Sequence, residues 1–151
     1  GNRVQWDWSY IPDVAIYAIG TNDYITFGAD PDAFNAAFKA KYKEFLTMVR
    51  SHYPKERTAI FLHGILLPDE WSPHGKWEHA NRTVEALVAE LNAAGDERIY
   101  AINPRPNYSN TGMWLEDNAI DYNGDRTHPS IRGHQIVSDS VSAIVRRTLG
   151  W

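Results

Sequence analysis

At 151 residues the chain has the length of one domain, enough to bury most of the surface that its unfolded form exposes. Its 43% hydrophobic and 23% charged residues are ordinary for a soluble globular protein and exclude disordered and fibrous classes. The formal charge of −4, with no basic stripe, argues against a nucleic-acid partner. No apolar run approaches the roughly 20 residues of a membrane span, and Gly1-Asn2-Arg3 is not followed by an apolar leader, so a soluble chain with no membrane association is expected. The absence of cysteine removes disulfides and thiolate chemistry but fits secreted and cytoplasmic proteins alike, which leaves localisation unknown.

The first element in chain order is the short apolar run from Asp13 to Gly20, preceded by Pro12, which reads as a strand buried on both faces. Asp30-Pro31 then supplies an N-cap and a proline at the first helical position. Phe34, Phe38, Tyr42, Phe45 and Val49 recur at helical spacing to about His52. A second strand is expected from Thr58 to His63, a loop from Gly64 to Gly75, and a helix from about Trp77 to Ala94 stopped by Gly95. A third strand, Arg98 to Ile102, leads into an irregular stretch, Asn103 to Thr127, and a last helix runs from Pro129 to about Leu149. Strands and helices in strict alternation predict an α/β fold, a parallel sheet with helices on both faces, in a single domain spanning 1–151.

In such sheets the ligand site lies beyond the carboxyl ends of the strands. Gly20-Thr21-Asn22-Asp23 stands at one of them, and an asparagine there can donate its amide to a developing oxyanion. Alone, the tetrapeptide serves equally as a turn whose polar side chains satisfy loop amides. Asp125-Arg126-Thr127-His128 places a carboxylate and an imidazole three residues apart in a turn. The carboxylate can fix the tautomer that lets the far ring nitrogen accept a proton. Alone, this too reads as a cap with a polar neighbour before a helix.

Both segments together, each after a strand and in this order, resemble the third and fifth sequence blocks of the SGNH (GDSL-type) hydrolases. The aromatic lead-in Trp6-Asp7-Trp8-Ser9 with Pro12-Asp13-Val14 before Gly20 is most similar to the acetylesterases of carbohydrate esterase family two. The resemblance covers nearly all of the chain. It implies a three-layer α/β/α, flavodoxin-like hydrolase fold, with Asn22 as an oxyanion donor, His128 as general base and Asp125 as its orienter. The substrates implied are acetyl or other short acyl esters of sugars.

The sequence departs from that pattern in one respect. The first block, a G-D-S segment holding the nucleophilic serine, and the glycine of the second block are not among these residues, so the fold is expected to lack its first two strands. Ser9, Ser51, Ser72, Ser109, Ser130, Ser138, Ser140 and Ser142 have no nucleophile-turn context; of these Ser72 and Ser109, both in loops, are the candidates for a recruited nucleophile. Gly20, Thr21 and Asp23 are expected around the oxyanion site, with Trp71, Trp114 and His63 as candidate lining, although packing accounts for these three as readily. His74 and His79 flank Trp77 without ligand geometry, and His134 reads as packing or capping, so no metal or other cofactor is expected. The competing reading is an inert remnant that binds a carbohydrate or a partner chain. Without a strand on its far side, Val14–Ile19 becomes an open edge, to be covered by a second copy or a complementary chain.

Overall fold

The computed structural model describes residues 6–26, 30–65, 75–103 and 128–151. Three strands, β1 (Val14–Tyr17), β2 (Ala59–His63) and β3 (Ile99–Ile102), form one parallel sheet in the order β1-β2-β3. Three helices accompany them, α1 (Pro31–His52), α2 (Lys76–Ala93) and α3 (Ile131–Leu149), with a 3-10 turn at Asp23–Thr26 that the sequence pattern did not show. The expected α/β class and parallel sheet are therefore present.

Alternation along the strands decides which helix each side chain meets. Ala15, Tyr17, Ile60, Leu62, Ile99 and Ala101 face α1 and α2, packing with Tyr42, Leu46, Val49, Val84, Leu87 and Val88. Val14, Ala59, Phe61, Tyr100 and Ile102 face the other way, against Val141, Ile144, Val145 and Leu149 of α3. The rings of Phe61 and Tyr100 stack there at 4.9 Å. Asp30 caps α1 by accepting from the Ala33 N–H at 3.0 Å, with proline following it as anticipated.

β1 departs from the expectation of burial on both faces. Among the described residues it pairs with β2 alone, from Val14↔Ala59 to Tyr17↔Leu62, and Ile16 and Ile19 remain 46% and 41% exposed. For Ile16 the cause is layering: α1 covers the Ala15 and Tyr17 face of β1, whereas among the described residues the other face meets α3, which packs mainly on β2 and β3. The lead-in does not cover that face either. Trp8 stacks on His52 with ring centroids 4.3 Å apart, and Trp6 donates to the Tyr53 hydroxyl at 3.3 Å, so both lie at the C-terminal end of α1. Trp8 accepts a left-handed backbone, φ 59°, to reach this position.

One side chain joins the amino ends of these layers. The Arg50 guanidinium donates through Nε and Nη2 to the two Asp96 carboxylate oxygens at 2.7 and 3.1 Å, through Nη1 to the carbonyls of Tyr53 and Thr58 at 3.2 and 2.8 Å, and through Nη2 to the Arg98 carbonyl at 3.1 Å. All five donors are used, and both charged side chains are mostly buried. Farther along, Lys39 and Lys43 of α1 both reach Glu90 of α2, holding its carboxyl below the usual range, but the groups are exposed and contribute little. Among the described residues no helix is long and apolar enough to cross a membrane.

Arg50→Ala should lower unfolding stability by about 3–5 kcal/mol, because it leaves the mostly buried Asp96 charge without its ion-pair partner and removes a donor from the carbonyls of Tyr53, Thr58 and Arg98. Arg50→Lys, with three donors in place of a planar fork, should recover only part of that loss. Urea unfolding checks both; equal midpoints for wild type and Arg50→Ala would remove the clamp from this account.

Candidate functional site

The site region is assembled at the carboxyl ends of the three strands. β1 runs out through Ala18 and Ile19 to Gly20, whose φ of 116° is closed to other residues. A Cβ there would stand 2.9 Å from Cζ of Phe38, so α1 packs directly on the glycine backbone. The chain then turns through Thr21 and Asn22 into the 3-10 turn, where the Tyr24 N–H donates to the Gly20 carbonyl at 3.0 Å. Asn22 and Asp23 are exposed, Thr21 is half-buried, and Gly20 and Tyr24 are buried. The polar residues of this turn thus face outward while its glycine and tyrosine anchor it.

β2 ends at His63, on the face that meets α3, and His63 is only 5% exposed. Its Nδ1 lies 2.6 Å from the Gly64 carbonyl oxygen, which can only accept, so Nδ1 carries the proton. Burial pushes its pKa down, partly opposed by that hydrogen bond. β3 is followed by Asn103, whose amide donates to Glu85 of α2 at 2.8 Å. His128 stands exposed two residues before Ser130, the N-cap of α3, whose Oγ accepts from the Gly133 N–H at 3.1 Å.

Gly20, Thr21, Asn22, Asp23 and His63 are thus brought to one edge of the sheet. Asp125, Trp71, Trp114, His74, Ser72 and Ser109 lie outside the described residues. Trp77 packs against Tyr24, Ile65 and Ala80, and His134 is exposed on the first turn of α3. Among the described residues no group of three His, Asp or Glu side chains converges as metal ligands would.

A hydrogen-bond chain behind the Asn22 turn was not anticipated from the sequence. The fully buried Tyr24 donates its hydroxyl to Asn35 Oδ1 at 2.8 Å and lies 3.4 Å from Thr83 Oγ1. Asn35 Nδ2 stands 3.0 Å from His79 Nδ1, and the Thr83 hydroxyl donates to the His79 carbonyl at 2.7 Å. The only local signals were a polar Asn35 beside the aromatic stripe of α1 and a histidine one turn into α2. Neither identifies its partner across 44 residues of sequence.

The model of the GDSL-like lipase/acylhydrolase family matches residues 2–136. The cellulase/esterase CelE of Acetivibrio thermocellus is 29% identical over 149 residues, covering 98% of this chain and 16% of that protein. A solved family two carbohydrate esterase from Clostridium thermocellum in complex with cellohexaose superposes with a TM-score of 0.70 at 28% identity, covering 98% of this chain and 40% of that one. An active-site mutant of such an esterase from the same organism gives 0.69 at 29%, covering 98% and 39%. The chain therefore spans well under half the length of these relatives. The α/β fold described above is shared with these structures.

His63 links folding to pH. Its folded pKa lies below its ordinary value near 6.5, so the unfolded chain binds its proton more readily. The contribution is fully present above pH 6.5 and is lost as pH falls toward and through the lower folded value. Between pH 7 and 5 the urea midpoint of wild type should fall more steeply than that of His63→Gln; parallel slopes would mean that the imidazole is not held neutral.

Proposed function

The chain belongs to the GDSL-like lipase/acylhydrolase family, and from that premise we propose that it contributes the oxyanion and general-base segments of a serine esterase acting on acetyl or other short acyl esters of carbohydrates. The observation that carries the proposal is the turn at the end of β1. Gly20 and Tyr24 are locked inside, and Asn22, exposed between them, is free of packing at the edge where this class of sheet binds ligands. Likeness to a cellulase/esterase and to esterases solved with a cello-oligosaccharide supports the substrate class.

In the proposed reaction a serine hydroxyl attacks the acyl carbonyl while His128 takes its proton, and the Asn22 amide with backbone N–H groups holds the tetrahedral oxyanion. The acyl–oxygen bond to the sugar then breaks, and His128 returns the proton to the leaving hydroxyl. Water, deprotonated by the same imidazole, releases the acid and regenerates the serine. Asp125 orients His128, while His63, Thr21, Asp23, Trp71 and Trp114 complete the surroundings. No cofactor takes part. Residues 1–151 act as one SGNH-hydrolase-like domain portion, and its serine is supplied by polypeptide outside these residues. A second reading, supported by the likeness to an esterase solved with cellohexaose, is a domain that binds carbohydrate without turnover.

Turnover of p-nitrophenyl acetate, by the chain alone and mixed with a polypeptide carrying the G-D-S segment of a family two esterase, tests these readings. Activity should appear in the mixture, and His128→Ala should reduce it at least about a hundredfold. Turnover indifferent to His128 would overturn the esterase reading, and cellohexaose binding without turnover in either sample would favour the second.

The same proposal assigns a cover to β1. Its edge away from β2, with Ile16 exposed, is a template for a further strand, and we assign that place to a strand outside residues 1–151, from a complementary segment or a second copy. Sedimentation of the chain alone should therefore report a mass above 17.2 kDa, through self-association of the uncovered edge. A monomer at high concentration with unprotected β1 amides would refute it.

A further inference from the structure

Tyr24 lies two residues beyond Asn22, and besides its N–H bond to the Gly20 carbonyl within the turn it is held by contacts from two helices. Phe34 and Phe38 of α1 meet its ring edge-on at 4.9 and 5.1 Å, and its hydroxyl enters the chain through Asn35 and Thr83 to His79. Each link has a defined polarity. The Tyr24 O–H occupies Asn35 Oδ1, which turns Asn35 Nδ2 toward the ring of His79. An N–H facing Nδ1 requires that nitrogen to be an acceptor, so His79 carries its proton on Nε2. Protonating Nδ1 would set two donors against each other, and Asn35 would have to reverse its amide and present N–H groups to the tyrosine oxygen.

We propose that His79, Asn35 and Tyr24 form a positioning relay that fixes the Asn22 turn from behind, with His79 Nδ1 accepting from Asn35. The inference rests on the reading of Asn22 as an oxyanion donor, and it adds residues that touch neither substrate nor reacting atoms. The physical reason is leverage. Asn22 itself is exposed, so its placement depends on the Gly20–Tyr24 hydrogen bond and on the burial of Tyr24. An oxyanion donor loses its effect on misplacement by about 1 Å, and such a shift can cost on the order of a hundredfold in rate. α1 contributes Phe34, Asn35 and Phe38, and α2 contributes His79, Ala80 and Thr83, so the turn records the spacing of the two helices.

Two measurements judge the relay, one independent of activity. Nitrogen-15 shifts of His79 should report the Nε2–H tautomer, and amide exchange of Tyr24 should quicken at least about tenfold in Tyr24→Phe and His79→Leu while Ile60 and Tyr100 in the sheet keep their protection. His79→Asn, which places an amide oxygen near the position of Nδ1, should restore protection. A proton on Nδ1, or loss of protection spread equally over turn and sheet, would overturn the relay and leave only a contribution to stability. In the ester-hydrolysing sample, Tyr24→Phe and His79→Leu should lower kcat about tenfold or more with KM unchanged, and His79→Asn should recover it. Wild-type inactivity would sink the reading of Asn22 while leaving the exchange result to decide the relay; intact kcat in an active sample with a loosened turn would overturn the positioning role.

Discussion

The fully used guanidinium of Arg50 is the constraint on which the rest of the arrangement depends. It sits at the end of α1 and holds the start of β2 through Thr58, the start of β3 through Arg98, and the corner after α2 through Asp96. With the amino ends of two strands and the ends of two helices tied to one planar group, the carboxyl ends are set by the lengths of those elements. Twenty-two residues of α1 carry the register from Arg50 back to Phe34 and Phe38, and eighteen of α2 carry it to His79 and Ala80. The polar turn of Asn22 rests against those four residues. A buried ion pair is often no more stabilising than a well-packed apolar substitute. Here its worth lies in specifying geometry, because only a fork of five donors can meet Asp96 and three backbone carbonyls together.

The sheet order and helix faces were legible because burial imposes a period. The aromatic repeat of α1, the apolar runs of β2 and β3 and the Asp30-Pro31 start are local patterns, and each produced its element within two residues of the expected ends. Burial of β1 was misjudged for a reason equally physical. Apolar composition reports that a strand has somewhere to be buried, not that its cover belongs to the same residues. The last helix was placed correctly in outline, although its cap is Ser130 rather than a residue before Pro129, since only the Ser130 hydroxyl reaches the Gly133 N–H.

The candidate site divides along the same line. Asn22 and His128 were singled out because their neighbours in sequence form a recognisable pattern, and the fold places Asn22 at the carboxyl edge of the sheet. Tyr24, Asn35, Thr83 and Arg50 were not found, because their meaning lies in partners that are 11 to 59 residues away. A tyrosine after Asn-Asp is unremarkable until the fold shows that its hydroxyl is buried among two helices, where an unmade hydrogen bond is costly.

The brevity of β1 has a consequence for specificity. The strand is four residues long; proline at position 12 can offer no N–H upstream, and the left-handed Gly20 turns the backbone away downstream. An intruding chain therefore finds only a few ladder hydrogen bonds, too few to reward indiscriminate pairing. Whatever occupies this border has to be chosen by fit to the Ile16 and Ile19 side chains. A short margin of this kind discourages amyloid-like stacking while still admitting one well-matched neighbour.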